Sequence, residues 1–164
     1  MHNGVKTLKI EEAYYFKILL MSGFSDGYDE WLSAYLGTEN PLSDIVLNLS
    51  LCSSDVNKTI SYLHNYCLEQ PLDEKFVCDK LRLFLKSGYN SNRFNKEDVI
   101  TLMYRFTVNH ANYGDFNAEI WGDMFYMDDY HALAKDNIIS MERFVYAFES
   151  YLNQGVPFQS IYNL

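Results

Sequence analysis

The chain has 164 residues, 48% hydrophobic and 21% charged, a balance that suits one domain with a single sizeable core and excludes a disordered chain. Its net charge of −9 disfavours binding nucleic acid through phosphates, which needs clustered Lys and Arg, and favours a partner with a positive face. Aromatic residues reach 16%, chiefly 14 Tyr and 11 Phe, and Tyr suits a core margin or a binding surface because its ring buries while its hydroxyl keeps a polar partner.

Periodicity and punctuation predict helices almost throughout. Thr7 is placed to cap a first helix over roughly 8–22, with Glu11 and Glu12 early in it and Gly23 just past its end. The apolar run Ile18–Met21 is too short for a signal peptide or a membrane span. DGYDEWLSAYLG predicts a short second helix closed by Gly37. Pro41 and Ser43 open a third through IVLNLSLC, and Ser54 opens a fourth that Pro71 must stop.

The fifth helix reads DEKFVCDKLRLFLKSG, with Asp73 as N-cap and Gly88 as terminator, and Val77, Leu81, Phe84 and Leu85 on one face. The sixth opens at Asn95, with Asp98 three residues on in a capping arrangement, and carries Val99, Met103, Phe106 and His110 in one stripe. The seventh lies in YGDFNAEIWGDMFYMDDYHALA, bent or broken near Gly122. In the last, Ser140 caps, Met141, Phe144, Val145, Phe148, Tyr151 and Leu152 form the apolar face, and Gly155 and Pro157 end it.

No sustained period-two pattern is bounded by hairpin turns, and no Pro/Ser-rich linker divides the chain. The expectation is one all-α domain over 1–164, a bundle of seven or eight helices with 1–6 and 156–164 as terminal segments. LLMSGFSDGYDEWL and FLKSGYNSNRFNKEDV echo each other as helix, Ser-Gly-aromatic, polar turn, helix. Two copies make no solenoid, and a shared helix-stop device explains them more simply.

The charge is segregated. Between Lys17 and Lys58 lie six acids and no base: Asp26, Asp29, Glu30, Glu39, Asp44 and Asp55. Between Arg105 and Lys135 lie five more, Asp115, Glu119, Asp123, Asp128 and Asp129, again without a base. The rest of the chain holds 13 basic and 11 acidic residues, a surplus of +2. Each acidic stretch contains one of the two Trp residues, Trp31 and Trp121. Asp115, Glu119 and Asp123 are spaced i, i+4, i+8, along one face of a continuous helix, where like charges cost about 0.2–0.5 kcal/mol per pair. Such a row is either a solvated face or a recognition face.

Chemistry-bearing motifs are absent. There is no GxSxG elbow, Gly-rich phosphate loop or HExxH helix, so no catalytic set is expected. No segment has EF-hand order, and no pair of Glu-x-x-His helices occurs, so neither metal nor cofactor is expected. Asp128 with His131, and His64 with Cys67, are i, i+3 pairs that could support a metal. His131 reads more simply as a polar-face residue, Cys67 as a core thiol and His110 as a core or margin histidine. Cys52, Cys67 and Cys78 include no CxxC pair, which suits small core residues in a reducing cytoplasm.

In size, helical make-up, lack of an export signal and the aromatic-acid stretch YGDFNAEIWGDMFYMDDYHALAKDNIIS, the chain resembles the small acidic immunity proteins with which bacteria neutralise polymorphic or contact-dependent toxins. The resemblance implies a cytoplasmic, non-catalytic protein that blocks a cognate toxin domain, often a nuclease. A carboxylate row fits the Lys/Arg cleft of such a domain and speeds encounter, and Trp and Tyr supply anchors. The candidate surface is Tyr113, Asp115, Glu119, Trp121, Asp123, Asp128, Asp129 and Tyr130, with Asp26, Asp29, Glu30 and Trp31 as a second patch. The competing reading of Trp31 and Trp121 is that they fill the core. The alternatives are a helical adaptor with an aromatic-lined groove for a protein or small ligand, and a carboxylate/His metal protein.

Overall fold

A computed structural model of the chain describes residues 8–38, 41–111 and 115–162. The fold is all-α, with nine helices and no strand among the described residues. Eight correspond to the helices expected from the sequence, and a short ninth lies in the segment read as a tail. None among the described residues is long and apolar enough to cross a membrane. The chain divides into two compact units, Met1–Asp73 and Glu74–Leu164.

The first unit contains α1 (Ile10–Met21), α2 (Tyr28–Leu36), α3 (Asp44–Leu51) and α4 (Val56–Cys67). Helix α1 is its centre: every residue from Ala13 to Leu20 is buried, so the helix is covered on all sides and packs chiefly on α4. Lys17 is buried among them, with Nζ 4.0 Å from the centre of the Tyr14 ring. Burial lowers its pKa below the usual lysine range. The helix ends in a Schellman motif: Gly23 takes φ +93°, its N–H donates to Leu20 O at 3.1 Å, and Phe24 N–H donates to Leu19 O at 2.9 Å.

Thr7 lies outside the described residues, and Lys9 occupies the N-cap of α1 without a side-chain bond. Ser54 does not cap α4; Asp55 does, accepting from Lys58 N–H at 3.1 Å. Helix α4 stops at Cys67, ahead of Pro71, and Glu69 takes the positive φ. The Tyr66 hydroxyl donates to Leu8 O and ties the end of α4 to the chain entering α1.

The second unit contains α5 (Glu74–Asn90), α6 (Lys96–His110), α7 (Ala118–Lys135), α8 (Met141–Gln154) and α9 (Phe158–Ile161). The α6–α7 pair is the most extensive, α5 packs on α6, α7 and α8, and α9 folds onto α8. The expected stripes form its core: Val77, Leu81 and Leu85 from α5, Val99, Met103 and Phe106 from α6, and Phe144, Phe148 and Leu152 from α8 are each fully buried. Phe84, Met141 and Val145, on the same stripes, are only half-buried. The Asn95–Asp98 capping box is complete, with bonds of 2.8 and 3.1 Å. Ser140 caps α8, and Gly155 ends it at φ +72°.

Three further expectations are corrected. Gly88 does not stop α5; the helix runs on to Asn90, and Asn92 takes the positive φ. Gly122 neither bends nor breaks α7, which is continuous from Ala118 to Lys135. His131 is not on a polar face: it is 4% exposed and stacks on Phe144 at 5.2 Å. Burial lowers its pKa, and the nearby cations Lys135 and Lys96 lower it further.

Candidate functional site

Helix α7 positions the site. Asn117 caps it by accepting from Glu119 N–H at 3.1 Å, which starts the helix three residues after Asp115 and leaves Asp115 outside it, exposed. At about 100° per residue, Glu119, Asp123, Tyr126 and Tyr130 fall on one stripe, while Asp128 lies roughly on the opposite side and Asp129 about a quarter turn away. The acids are therefore not one row. Trp121 points inward and is fully buried, so it supplies no surface anchor. Its ring stacks on His110 at 4.3 Å, and its Nε1 donates to Glu74 Oε1 at 3.1 Å, an oxygen that also lies 2.8 Å from His110 Nε2.

The stripe forms one wall of a cleft of about 520 Å³. Helix α5 supplies the facing residues Lys75, Asp79 and Arg82, and the floor holds Cys78 and Tyr151. Gly155, Pro157 and Gln159 lie at its end.

The two cations on the α5 wall are already engaged. Lys75 pairs with Asp79 at 3.0 Å, one turn along the helix. Arg82 donates from Nη1 to Leu152 O at 2.8 Å, and its Nε lies 3.9 Å from Asp79 Oδ1 without a hydrogen-bond acceptor. The guanidinium lies 3.5 Å from where a Cβ on Gly155 would sit.

On the opposite wall Asp123 is half-buried. Its Oδ2 accepts from Phe158 N–H at 3.4 Å. Burial raises its pKa, this one hydrogen bond lowers it in part, and no cation contributes. Glu119, one turn earlier, is exposed and forms no ion pair among the described residues. Tyr126 is 42% exposed. Tyr130 is held in place by stacking on Phe158 at 4.2 Å and 6°.

The floor is chemically quiet. Cys78 Sγ contacts Ile120 O at 3.4 Å, and burial pushes its pKa up to about 12. Burial carries the Tyr151 hydroxyl well above the phenolic range. Both stay protonated at neutral pH, so neither is an activated nucleophile.

The cleft thus brings together Glu119, Asp123 and Tyr130 and leaves out Asp115, Trp121, Asp128 and Asp129; Tyr113 lies outside the described residues. Asp128 and Asp129 remain exposed and, with Asp115, form no ion pair among the described residues. Tyr126 was missed, although its place seven residues after Glu119 puts it on the same stripe. Arg82 and Gln159 carry no sequence signal, because they reach the cleft from distant segments.

The second patch belongs to the first unit. Asp26, Asp29 and Glu30 are exposed there, and Glu39 lies outside the described residues. Asp26 adds to the burial that pushes the Tyr15 hydroxyl up to about 12. Trp31 is half-buried against Phe16 at 4.7 Å and Tyr28 and Tyr35 at 5.8 Å, and its Nε1 is buried without an acceptor. It is part of an aromatic cluster rather than a free-standing anchor.

No three His, Cys, Asp or Glu side chains converge to hold a metal among the described residues. Asp128 is exposed where His131 is buried, and His64 is exposed where the Cys67 thiol donates to Ile10 O at 3.8 Å. No family model, curated protein or solved structure matches this chain.

Proposed function

We propose that this chain is a non-catalytic binding protein for a basic partner protein, and that the partner is a toxin domain which it neutralises in the cytoplasm. The observation that carries the reading is the α7 wall: Glu119 and Asp123 face a cleft whose own cations are committed to Asp79 and to a backbone carbonyl. Asp29, Glu30, Asp128 and Asp129 add exposed negative charge without ion pairs among the described residues. A toxin that attacks nucleic acid must present Lys and Arg to phosphate, and a carboxylate surface competes for that same charge.

The test is co-expression with the basic C-terminal domain of a secreted protein encoded beside this gene. Growth should be rescued, and the purified pair should associate at a rate that falls steeply with salt. Unrescued growth together with no association at low ionic strength refutes the reading.

The cleft itself favours a second reading, a helical adaptor with a small ligand in an aromatic-lined groove, since about 520 Å³ lies within the usual range of roughly 300–1,000 Å³ for small-molecule pockets. An uncharged groove ligand would bind with little dependence on salt.

A further inference from the structure

The α7 cleft combines three things that a flat cationic group needs. The first is a pair of carboxylates at its rim. Glu119 and Asp123 are one helical turn apart, so their Cβ atoms lie about 5–6 Å from each other. The second is an aromatic surface on the same stripe. Tyr126 keeps 42% of its area open, and Tyr130 is fixed by its stack on Phe158. The third is room, since a cleft of about 520 Å³ exceeds the volume of one long side chain.

The charges within the cleft favour a cation. Asp79 is satisfied by Lys75 at 3.0 Å, and the Arg82 guanidinium is fixed by Leu152 O and by its packing on Gly155. Glu119 and Asp123 bring the cleft to a net charge of −1, which one entering guanidinium balances, against +1 on the wall these three groups form. Across from it, Asp123 holds a half-buried charge against a single backbone N–H. A carboxylate taken out of water without a counterion is destabilised, and an entering cation relieves that cost.

Geometry selects among cations. An ammonium is a compact point charge that satisfies one carboxylate at a time. A guanidinium is planar, presents five N–H donors in a fork and stacks on aromatic faces, so it can span both carboxylates while lying against a Tyr ring.

From this we infer that the cleft bounded by Glu119, Asp123, Tyr126 and Tyr130 is an arginine pocket that receives one arginine side chain of the basic partner. The inference rests on the basic-partner reading above and names the contact that gives it specificity. Charged residues elsewhere steer the encounter, while the pocket holds the complex.

The test uses the isotope-labelled full chain and three capped single residues as probes: N-acetyl-arginine amide, N-acetyl-lysine amide and N-acetyl-citrulline amide. The arginine probe should shift the backbone amides of 119–130 saturably and bind several-fold more tightly than the lysine probe. The citrulline probe, equal in shape but uncharged, should not bind. Asp123→Asn, which keeps an acceptor for Phe158 N–H, should weaken the arginine probe about tenfold, the usual scale for one charge-assisted bond. Asp128→Asn, on the far side of the helix, should leave it unchanged.

Equal shifts with citrulline, or shifts by arginine spread over all acidic residues and indifferent to Asp123→Asn, overturn the pocket. If the pocket fails while the basic toxin domain still binds in a salt-sensitive way, only this inference falls. If the toxin domain fails to bind as well, the underlying reading falls with it.

Discussion

In the proposed pocket, Asp123 serves binding at the expense of the free protein. Its carboxyl is half-buried, and burial raises its pKa because one N–H from Phe158 only partly replaces the lost water. An unfolded Asp titrates near ~3.9. Between that value and the raised folded one, the folded state binds more protons than the unfolded, so stability falls as pH rises through the window. Above it the whole deficit remains. Asp123→Asn should therefore make the free protein more stable at neutral pH, and the gap should close as pH drops below ~3.9. Urea unfolding of both proteins at a series of pH values measures this. A variant that is less stable at pH 7 would mean that the ionised oxygens are structural. Glu74 has a structural place instead, because one of its oxygens serves both Trp121 Nε1 and His110 Nε2. Glu74→Ala leaves the buried indole N–H without its acceptor and should cost about 1–3 kcal/mol. Glu74→Gln, which keeps a carbonyl oxygen, should lose less, and Trp121 fluorescence follows both transitions.

At the scale of elements, two glycines in long helices of the second unit have opposite reasons for being there. Gly88 sits inside α5 because Phe94 folds back over it: an added Cβ would lie 2.2 Å from the ring, and Phe94 N–H donates to Gly88 O at 3.0 Å. Gly122 has ordinary room, its nearest outside atom being the Ala118 Cβ at 3.9 Å. Gly88→Ala should cost about 1–3 kcal/mol by overpacking. Gly122→Ala should gain about 0.5–1 kcal/mol from helix propensity. Denaturant midpoints of the pair check both signs in one experiment. The same contrast explains what could be read in advance. The Asn95–Asp98 box, the Ser140 cap and the Gly23 stop are local devices that depend only on neighbours in sequence, and they appear where the residues put them. Gly88 looked like Gly23, each following a Ser and preceding an aromatic residue, yet its reason is a contact with a ring six residues on. The burial of Trp121 matches the reading that it fills the core, whereas that of His131 was hidden for a related reason. His131 sits in a run of Asp and Tyr, and only the continuity of α7 through Gly122 turns it inward.

Over the whole molecule, the segregation of charge is plain in the sequence, whereas the cleft is not, because Lys75 and Arg82 on α5 and Gln159 on α9 reach it from segments remote from α7 in the chain. That difference separates two contributions to binding. Asp128 and Asp129 are exposed, lie off the cleft stripe and have no ion pair among the described residues, so replacing them removes field without disturbing packing. Converting both to Lys swaps the sign of two charges and moves the net charge from −9 to about −5, which weakens long-range attraction for a cationic partner. The association rate with the basic toxin domain should fall about tenfold at low ionic strength, and its dependence on salt should become shallower. Dissociation should change little, because neither side chain is at the proposed contact. Asp123→Asn should do the reverse: encounter is nearly preserved and dissociation accelerates, the pattern of a charge lost from a desolvated contact. Stopped-flow association and dissociation over a salt series distinguish the two. If both variants act only on the association rate, the cleft contributes field and no contact; if the Asp128/Asp129 reversal leaves association untouched, the acidity of α7 does not guide the partner.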